Sequence, residues 1–571
     1  MIVDEVKKVL STLNLEGVET QDVVLETPAD RRMGDVALPC FPLAKILKKS
    51  PVQIARDIVE KLWDAVENND AIDRVVATGP YVNFFMNTGW LAKNILWSIE
   101  QKQSSYGSGD KKDIAVLVEW RSPNTHKMLH VGHLRNALVS ETMCSLLEFA
   151  WYKVFRTAYG GDIWAHVAKW LRYYDNFVDE PYPEDPQAFS IWSGDIYQQA
   201  TAKIDENPEV YKQQIHEIQR LLETWDSHLR ALREETRALS IAWMQSVFDE
   251  LWCKIERFYR ESEVEQPWIE LVKKYEQDPN IPEIKTSQGA IIADLEAYDL
   301  GIFLLLKSNG TSLYSTKDIA LAFLKEKEYD FDISLYVVAT EQNLHFKQLF
   351  KTLELVGYDA SKLVHMGYEL VELPDGKMSS RRWTIIPYHV WREDALQQAM
   401  ELIADRDVKD KEQLAHDVAF AALKFSFLLQ DTYKKIRIDM KKSLSFQGET
   451  GPYLQYTFAR CMSVLRKHED DAVSIEHIDG SLLNQEEERI LLVMLSEFES
   501  VIDKASREYK PHLLARYVLD LAKTFNNYYQ KYKIITDDEA SSNARLALVK
   551  GVKQVLENGL RLLGIERPEK M

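Results

Sequence analysis

With 571 residues, 46% of them apolar and 28% charged, the chain is long enough for three or four domains and has the balance of an ordinary water-soluble protein. It has no run of about 18 apolar residues and no charged-then-apolar leader, which argues against a membrane span and predicts a cytoplasmic protein. Four scattered cysteines, Cys40, Cys144, Cys253 and Cys461, form no CxxC pair, which argues against zinc knuckles and disulfides and for reduced thiols; the formal charge of −19 disfavours indiscriminate nucleic-acid binding but leaves local basic patches able to hold such a partner.

Taken in chain order, helix-like stretches around Ile2 to Leu15 and Val52 to Val66, then a strand-like VVATGPYVNFFMN, fill a first domain of about residues 1–105. A polar break from about Gln101 to Asp113 reads as a linker. From Ile114 onward strand-like runs (AVLVEW, VFRTAY, IIADL, GIFLLL, SLYVVAT) alternate with helical ones over about 106–390, the α/β pattern of a parallel sheet with crossover helices. A charged stretch rich in helix formers, about 174–283, interrupts this unit as an insertion would. Beyond about Pro387 strand signals nearly vanish, and ALQQAMELIA, VAFAALKFSFLL, LQYTFARCMSVL and LLARYVLDLAKTFNNYYQKY carry apolar residues at helical spacing. That predicts a helical bundle over about 391–571.

Two motifs carry chemistry. His130 to His133 read HVGH between a strand-like run and a helix-compatible stretch, and a helix N-terminus entered this way collects unpaired N–H groups and partial positive charge, with Gly132 allowing close approach of a nucleotide. Both histidines fall on one side of the turn. Far along the chain, Lys377 to Arg381 read KMSSR in a polar, glycine-containing loop. Either motif alone is weak; a fold must bring them together.

Over essentially its whole length the chain resembles the class I arginyl-tRNA synthetases. The segments VEWRSPNTHKMLHVGHLRNA, NGTSLYSTKDIALA, VVATEQNLHFKQLF and SLSFQGETGPYLQYTFAR carry the match to arginine, with TPADRRMGDVALPCFPLAKILKKSPVQIA similar to that family's extra domain and the closing PEKM similar to the end of its anticodon domain. The resemblance implies a Rossmann-type catalytic domain, an N-terminal α+β domain that engages the tRNA elbow and an all-α anticodon-binding domain. It implies ATP-dependent ligation of L-arginine to tRNA(Arg) through an arginyl-adenylate, by a monomer, with magnesium arriving on ATP and no protein-bound zinc.

For such a reaction negative charge gathers on the phosphates in the transition state, so cationic and polar donors are sought. The resemblance assigns ATP binding to His130, Gly132, His133, His345, Lys377, Met378 and Ser379. Lys127 matches a lysine that this family places before the histidine motif, and here it stands in for the second loop lysine that Ser380 replaces; it joins His130, His133 and Lys377 as catalytic. Guanidinium is a fixed fork of five donors that never loses its charge, and the resemblance assigns its pocket to Glu119, Ser122, Asn124, Tyr314, Asp318 and Gln342. A site built for several donors rejects lysine by leaving acceptors unpaired. His126, His130 and His133 could instead ligate a metal, but no cysteine or fourth ligand stands near. The runs KKIRIDMKK from Lys434, FNNYYQKYK from Phe525 and KILKKS near Lys45 offer phosphate contacts and stacking faces to RNA.

One departure has a pattern. Glycine is usual in this family where the chain has Trp151, Trp164, Trp252, Trp268 and Trp383, and also Trp225. So many independent exchanges of glycine for a large ring would be costly against a stability of roughly 5 to 15 kcal/mol. The expectation is a gene whose UGA codons are read as glycine but were translated as tryptophan. Against the active ligase stand two alternatives: a catalytically impaired synthetase-like tRNA-binding protein, for which the histidines and carboxylates would be superfluous, and a class I enzyme for cysteine or glutamate, which the absence of zinc-type cysteines and the pair Glu119 and Asp318 oppose.

Overall fold

The computed structural model describes residues 1–13, 23–28, 30–161, 165–206, 208, 211, 214, 215, 218, 227–308, 310, 314–373, 376, 377, 386–437, 439–467 and 478–571. The N-terminal part comprises α1 (Ile2–Ser11), β1 (Val36–Pro39), α2 (Phe41–Leu47), α3 (Pro51–Glu67), β2 (Ile72–Thr78) and β3 (Tyr81–Met86). Its strands form an antiparallel sheet in the order β1-β3-β2, with the β2–β3 hairpin turning at Gly79, whose φ is +58°. Ser50 caps α3 by accepting from Gln53 N–H at 3.3 Å, Pro51 occupies its first turn, and Ile54, Ile58 and Leu62, spaced four apart, bury one face.

The central part runs through β4 (Ala115–Arg121), α4 (Val131–Phe149), β5 (Lys153–Gly160), α5 (Ala165–Phe177), α6 (Pro186–Glu206), α7 (Ser227–Glu250), β6 (Arg257–Arg260), α8 (Glu261–Glu276), β7 (Ile284–Ser287), β8 (Ala290–Leu295), β9 (Gly301–Leu306), α9 (Tyr314–Glu328), β10 (Ile333–Ala339), α10 (Asn343–Leu355), β11 (Leu363–Tyr368), β12 (Val371–Leu373) and β13 (Gly376–Lys377). A five-stranded sheet has the order β11-β10-β4-β5-β6, every neighbouring pair parallel. Val116, Leu117 and Val118 of β4 are all buried, as expected where helices cover both faces. From β4 the chain proceeds outward through β5 and β6, then returns to place β10 on β4's other side. The gap between the carboxyl ends of β4 and β10 is therefore the switch point where doubly wound sheets bind ligands.

Two expectations are corrected here. IIADL and GIFLLL belong not to the parallel sheet but to an antiparallel meander, β7-β8-β9. The segment between β8 and β9, residues 296–300, is too short for a parallel crossover of a dozen or more residues, so the strands turn back on each other. Within the helical stretch 174–283, RFYR forms β6 and completes the parallel sheet at its edge; four residues give too short a pattern to signal a strand.

The C-terminal part contains α11 (Tyr388–Leu402), α12 (Lys411–Leu428), the short β14 (Ile436–Arg437), which pairs with β12, and then α13 (Gly451–Arg466), α14 (Glu486–Arg507), α15 (His512–Lys531) and α16 (Glu539–Leu562). Leu491, Leu495, Phe498, Ile502 and Ala505 form a buried stripe along α14. Of the aromatics in FNNYYQKYK, Phe525 and Tyr528 are core, while Tyr529 and Tyr532 remain partly exposed.

Candidate active site

Beyond β4 the backbone pairing persists one residue further, Ser122 N–H donating to Tyr159 O at 2.9 Å. The chain then turns sharply. His126 has φ +61° and is buried, its Nε2 2.8 Å from Thr236 Oγ1 and its Nδ1 3.0 Å from Thr125 Oγ1, while its N–H donates to Ser240 Oγ at 3.1 Å. Thr236 Oγ1 itself donates to Leu232 O at 2.6 Å, so His126 Nε2 must carry the proton that it receives. His126 thus fastens the turn to α7 and does not face the same space as His130. On the other side, Asn136 of α4 donates to Arg121 O at 2.8 Å, clamping the helix to the strand end.

His130 is the N-cap of α4. Its N–H donates to His133 Nδ1 at 3.3 Å and the two rings stack with centroids 3.6 Å apart. This bond leaves the neutral His133 proton on Nε2, pointing its donor away from the backbone. Burial, with the Lys127 ammonium adding to it, pushes His130 down to about 4; burial, His130 and Lys127 push His133 down as well. Both imidazoles are therefore neutral donors near neutral pH, and the positive charge beside them is that of Lys127, whose Nζ lies 5.2 Å from the Tyr197 ring centroid. Asn124, Lys127, His130 and His133 line one cleft of about 80 Å³, closed on its far side by α6 at Gly194 and Tyr197. A Cβ at Gly194 would lie 2.8 Å from Met128 Cβ, so glycine is what lets α6 approach the turn so closely. Gly132 lies in the first turn of α4, half-buried.

The chain beyond the second motif returns to the first through the backbone. Lys377 ends β13, paired with Glu372 of β12; after the intervening segment, Val131 N–H donates to Ile386 O at 3.1 Å and Tyr388 N–H to Leu129 O at 2.9 Å. The chain that follows KMSSR, at Ile386 to Tyr388, thus pairs with the HVGH turn. The backbone alone is described for Lys377 and Tyr314, and Met378, Ser379 and Trp383 lie outside the described residues.

At the carboxyl end of β4, buried carboxylates gather. Glu119 has no exposed side-chain surface; its Oε2 is 2.9 Å from Lys325 Nζ, and its Oε1 is buried with no hydrogen-bond partner. Lys325 also donates to Ser334 Oγ at 3.2 Å and sits over Tyr336. Asp318, 3% exposed, takes Arg121 Nη2 on Oδ1 at 2.6 Å and His345 Nε2 on Oδ2 at 2.6 Å. Burial alone would raise its pKa, but the Arg121 guanidinium and His345 hold it below the usual carboxylate range. His345 is therefore placed on the carboxylate cluster, Ser122, next after Arg121 in sequence, is buried with Oγ toward Met244 Sδ, and Gln342 is exposed in the turn after β10. Sequence reasoning did not assign Arg121, Lys325, Thr236 or Ser240. Arg121 stood inside a quoted motif; the others came from helices whose approach no local pattern announces.

Comparisons with known proteins place the whole chain. A family model described as "tRNA synthetases class I (R), catalytic domain" matches residues 93–439, "DALR anticodon binding domain" matches 454–571, and "Arginyl tRNA synthetase N terminal domain" matches 1–86. An arginine–tRNA ligase of Clostridioides difficile is 34% identical over 99% of this chain and 98% of that relative. One of Bdellovibrio bacteriovorus is 36% identical over 96% of this chain and 94% of that relative. The solved arginyl-tRNA synthetase of Thermus thermophilus superposes with a TM-score of 0.78 at 28% identity, covering 100% of this chain and 99% of that one.

Proposed function

The chain belongs to the class I arginyl-tRNA synthetases, and we propose that it ligates L-arginine to tRNA(Arg) at the β4–β10 switch point. In the first step a carboxylate oxygen of arginine attacks the α-phosphorus of ATP and the bond to pyrophosphate breaks. In the second a terminal ribose hydroxyl of the tRNA attacks the arginyl carbonyl and AMP leaves. His130 and His133 donate from the N-terminus of α4 to the phosphates, and Lys127 and Lys377 supply the charge that the leaving pyrophosphate needs. Magnesium enters on the triphosphate as part of that substrate.

The observation that carries this reading is the stacked His130–His133 pair at a helix N-terminus, held on its backbone by Ile386 and Tyr388 a few residues after KMSSR and entered from the strand that carries the buried Glu119. Glu119 and Asp318 are the guanidinium pocket, with Asn124 at the amino acid's other end. Exposed Lys45 and Lys48 near α2 and the partly exposed Tyr529 and Tyr532 support tRNA contacts at the elbow and the anticodon. The enzyme acts as a cytoplasmic monomer; no described helix is long and apolar enough to cross a membrane.

The test is charging of total tRNA with radiolabelled arginine and MgATP, with tRNA present throughout because arginine activation in this family usually waits for it. His130→Ala and His133→Ala are each expected to lower kcat by on the order of 10²–10³, as loss of one transition-state donor does. Undiminished charging by both variants would overturn the assignment.

A further inference from the structure

The carboxylate assigned to the substrate's guanidinium already holds a guanidinium of the chain itself. Arg121 closes β4, lays its guanidinium over the Tyr159 ring at 4.5 Å and reaches Asp318 Oδ1 with Nη2 at 2.6 Å. His345 takes the other oxygen at 2.6 Å. With both oxygens engaged, a second guanidinium cannot form its two parallel bonds to Asp318, and two like charges side by side in a buried pocket repel. The resident pairing is also incomplete, since Arg121 Nε is buried with no hydrogen-bond partner. Nor is Arg121 sealed in, its side chain being 19% exposed.

We infer that Arg121 is an internal stand-in for the substrate's guanidinium, which free arginine must displace from Asp318 in order to bind. The inference rests on the reading of Asp318 as the guanidinium site. Arriving arginine offers what Arg121 does not: a fork with all five donors uncommitted, where Arg121 gives Asp318 a single nitrogen. The cost of displacement is the same for any amino acid that enters, so Arg121 sets the affinity for arginine and leaves the ratio of arginine to lysine unchanged.

The experiment uses the full chain with saturating tRNA and MgATP, and measures kcat, KM for arginine, KM for ATP and the melting temperature of each variant. Arg121→Met keeps the apolar stem over Tyr159 and removes the charge; Arg121→Lys keeps the charge without the fork. Arg121→Met is expected to lower KM for arginine about tenfold, the factor for a pocket competent about a tenth of the time. Its kcat should stay within about twofold and its KM for ATP should not move, while Arg121→Lys falls between it and the parent. An unchanged or raised KM for arginine in folded Arg121→Met overturns the inference; should that variant fail to fold, an unchanged KM in Arg121→Lys does the same. Asp318→Asn separates the two levels. If it raises KM for arginine steeply while Arg121→Met lowers nothing, the stand-in alone is wrong; if it leaves KM unchanged, the assignment of Asp318 itself falls.

Discussion

Trp151 and Trp252 follow helices α4 and α7 with φ of +64° and +63°. Trp151 N–H donates to Glu148 O and Tyr152 N–H to Leu147 O, both at 3.0 Å; Trp252 N–H donates to Asp249 O at 3.0 Å and Cys253 N–H to Phe248 O at 2.8 Å. These are Schellman endings, whose left-handed position is usually glycine. A side chain there costs roughly 1–2 kcal/mol, and rings 48% and 41% exposed recover little by burial. Trp151 gains one hydrogen bond, to Ser108 Oγ at 3.0 Å, and Trp252 lies under Lys424 Nζ at 4.4 Å. Trp151→Gly is expected to stabilise the protein by about 1 kcal/mol, read as a raised melting temperature; a lowered one would contradict the strain argument. The same geometry supports the codon hypothesis at these two positions, so peptides from protein made in its source should carry glycine at 151 and 252, and tryptophan at both would end the idea. Trp268 is different. It lies inside α8, where the backbone asks nothing of glycine, and Trp164, Trp225 and Trp383 lie outside the described residues.

At the scale of elements, α7, α11 and α12 meet at a charged cluster. Glu250 accepts from Arg392 Nε at 2.7 Å and from Tyr388, and lies 3.3 Å from His416 Nε2. The carboxylates of Asp417 and Glu250 raise His416 to about 9. Although burial works against it, Glu250 falls to about 2 because His416, Tyr388 and Arg392 favour its charge. A folded-state pKa raised above the unfolded value of about 6.5 makes the imidazolium stabilising below that pH, and the contribution disappears as pH rises through about 9. His416→Gln should therefore destabilise the protein by on the order of 2 kcal/mol near pH 6 and by progressively less toward pH 9. Thermal unfolding across that range checks it, and a constant difference would show that the imidazolium charge is not what binds these helices. The cluster joins the catalytic part to the helices that follow, and no local pattern announced it. By contrast, the strand–turn–helix at HVGH was readable because apolar run, glycine turn and helix are contiguous.

For the whole molecule, the N-terminal domain is held to α14 by two ion pairs, one half-buried and one with a buried carboxylate. Arg31 makes a two-pronged pair with Glu497 at 3.0 and 2.7 Å. Arg489 pairs with Asp35 and donates to Arg31 O at 3.1 Å, while Asp35, 4% exposed, also accepts Met86 N–H at 2.8 Å. Arg489→Met would leave the Asp35 carboxylate buried without its cation, which costs roughly 3–5 kcal/mol. The expected result is faster hydrogen exchange in residues 31–39 and 82–86 with exchange in the catalytic sheet unchanged. Unaltered exchange at the N-terminal sheet would mean that apolar packing alone holds the two parts together.

The two signature motifs and the order of the three parts followed from the sequence by itself, because each rests on contiguous residues whose spacing and chemistry are local properties, and the family followed from the resemblance of its quoted segments to known members. The helical bundle was legible for the same reason: apolar spacing survives without knowledge of what it packs against. The pairing of IIADL with GIFLLL was misread although the five residues between them already exclude a parallel crossover, while β6 is too short to show a period at all. Only the tertiary structure set Arg121 against Asp318, Lys325 against Glu119 and Glu250 beside His416. In each case the partners come from separate elements, and a carboxylate's partner is chosen by which cation the packing of those elements delivers to it.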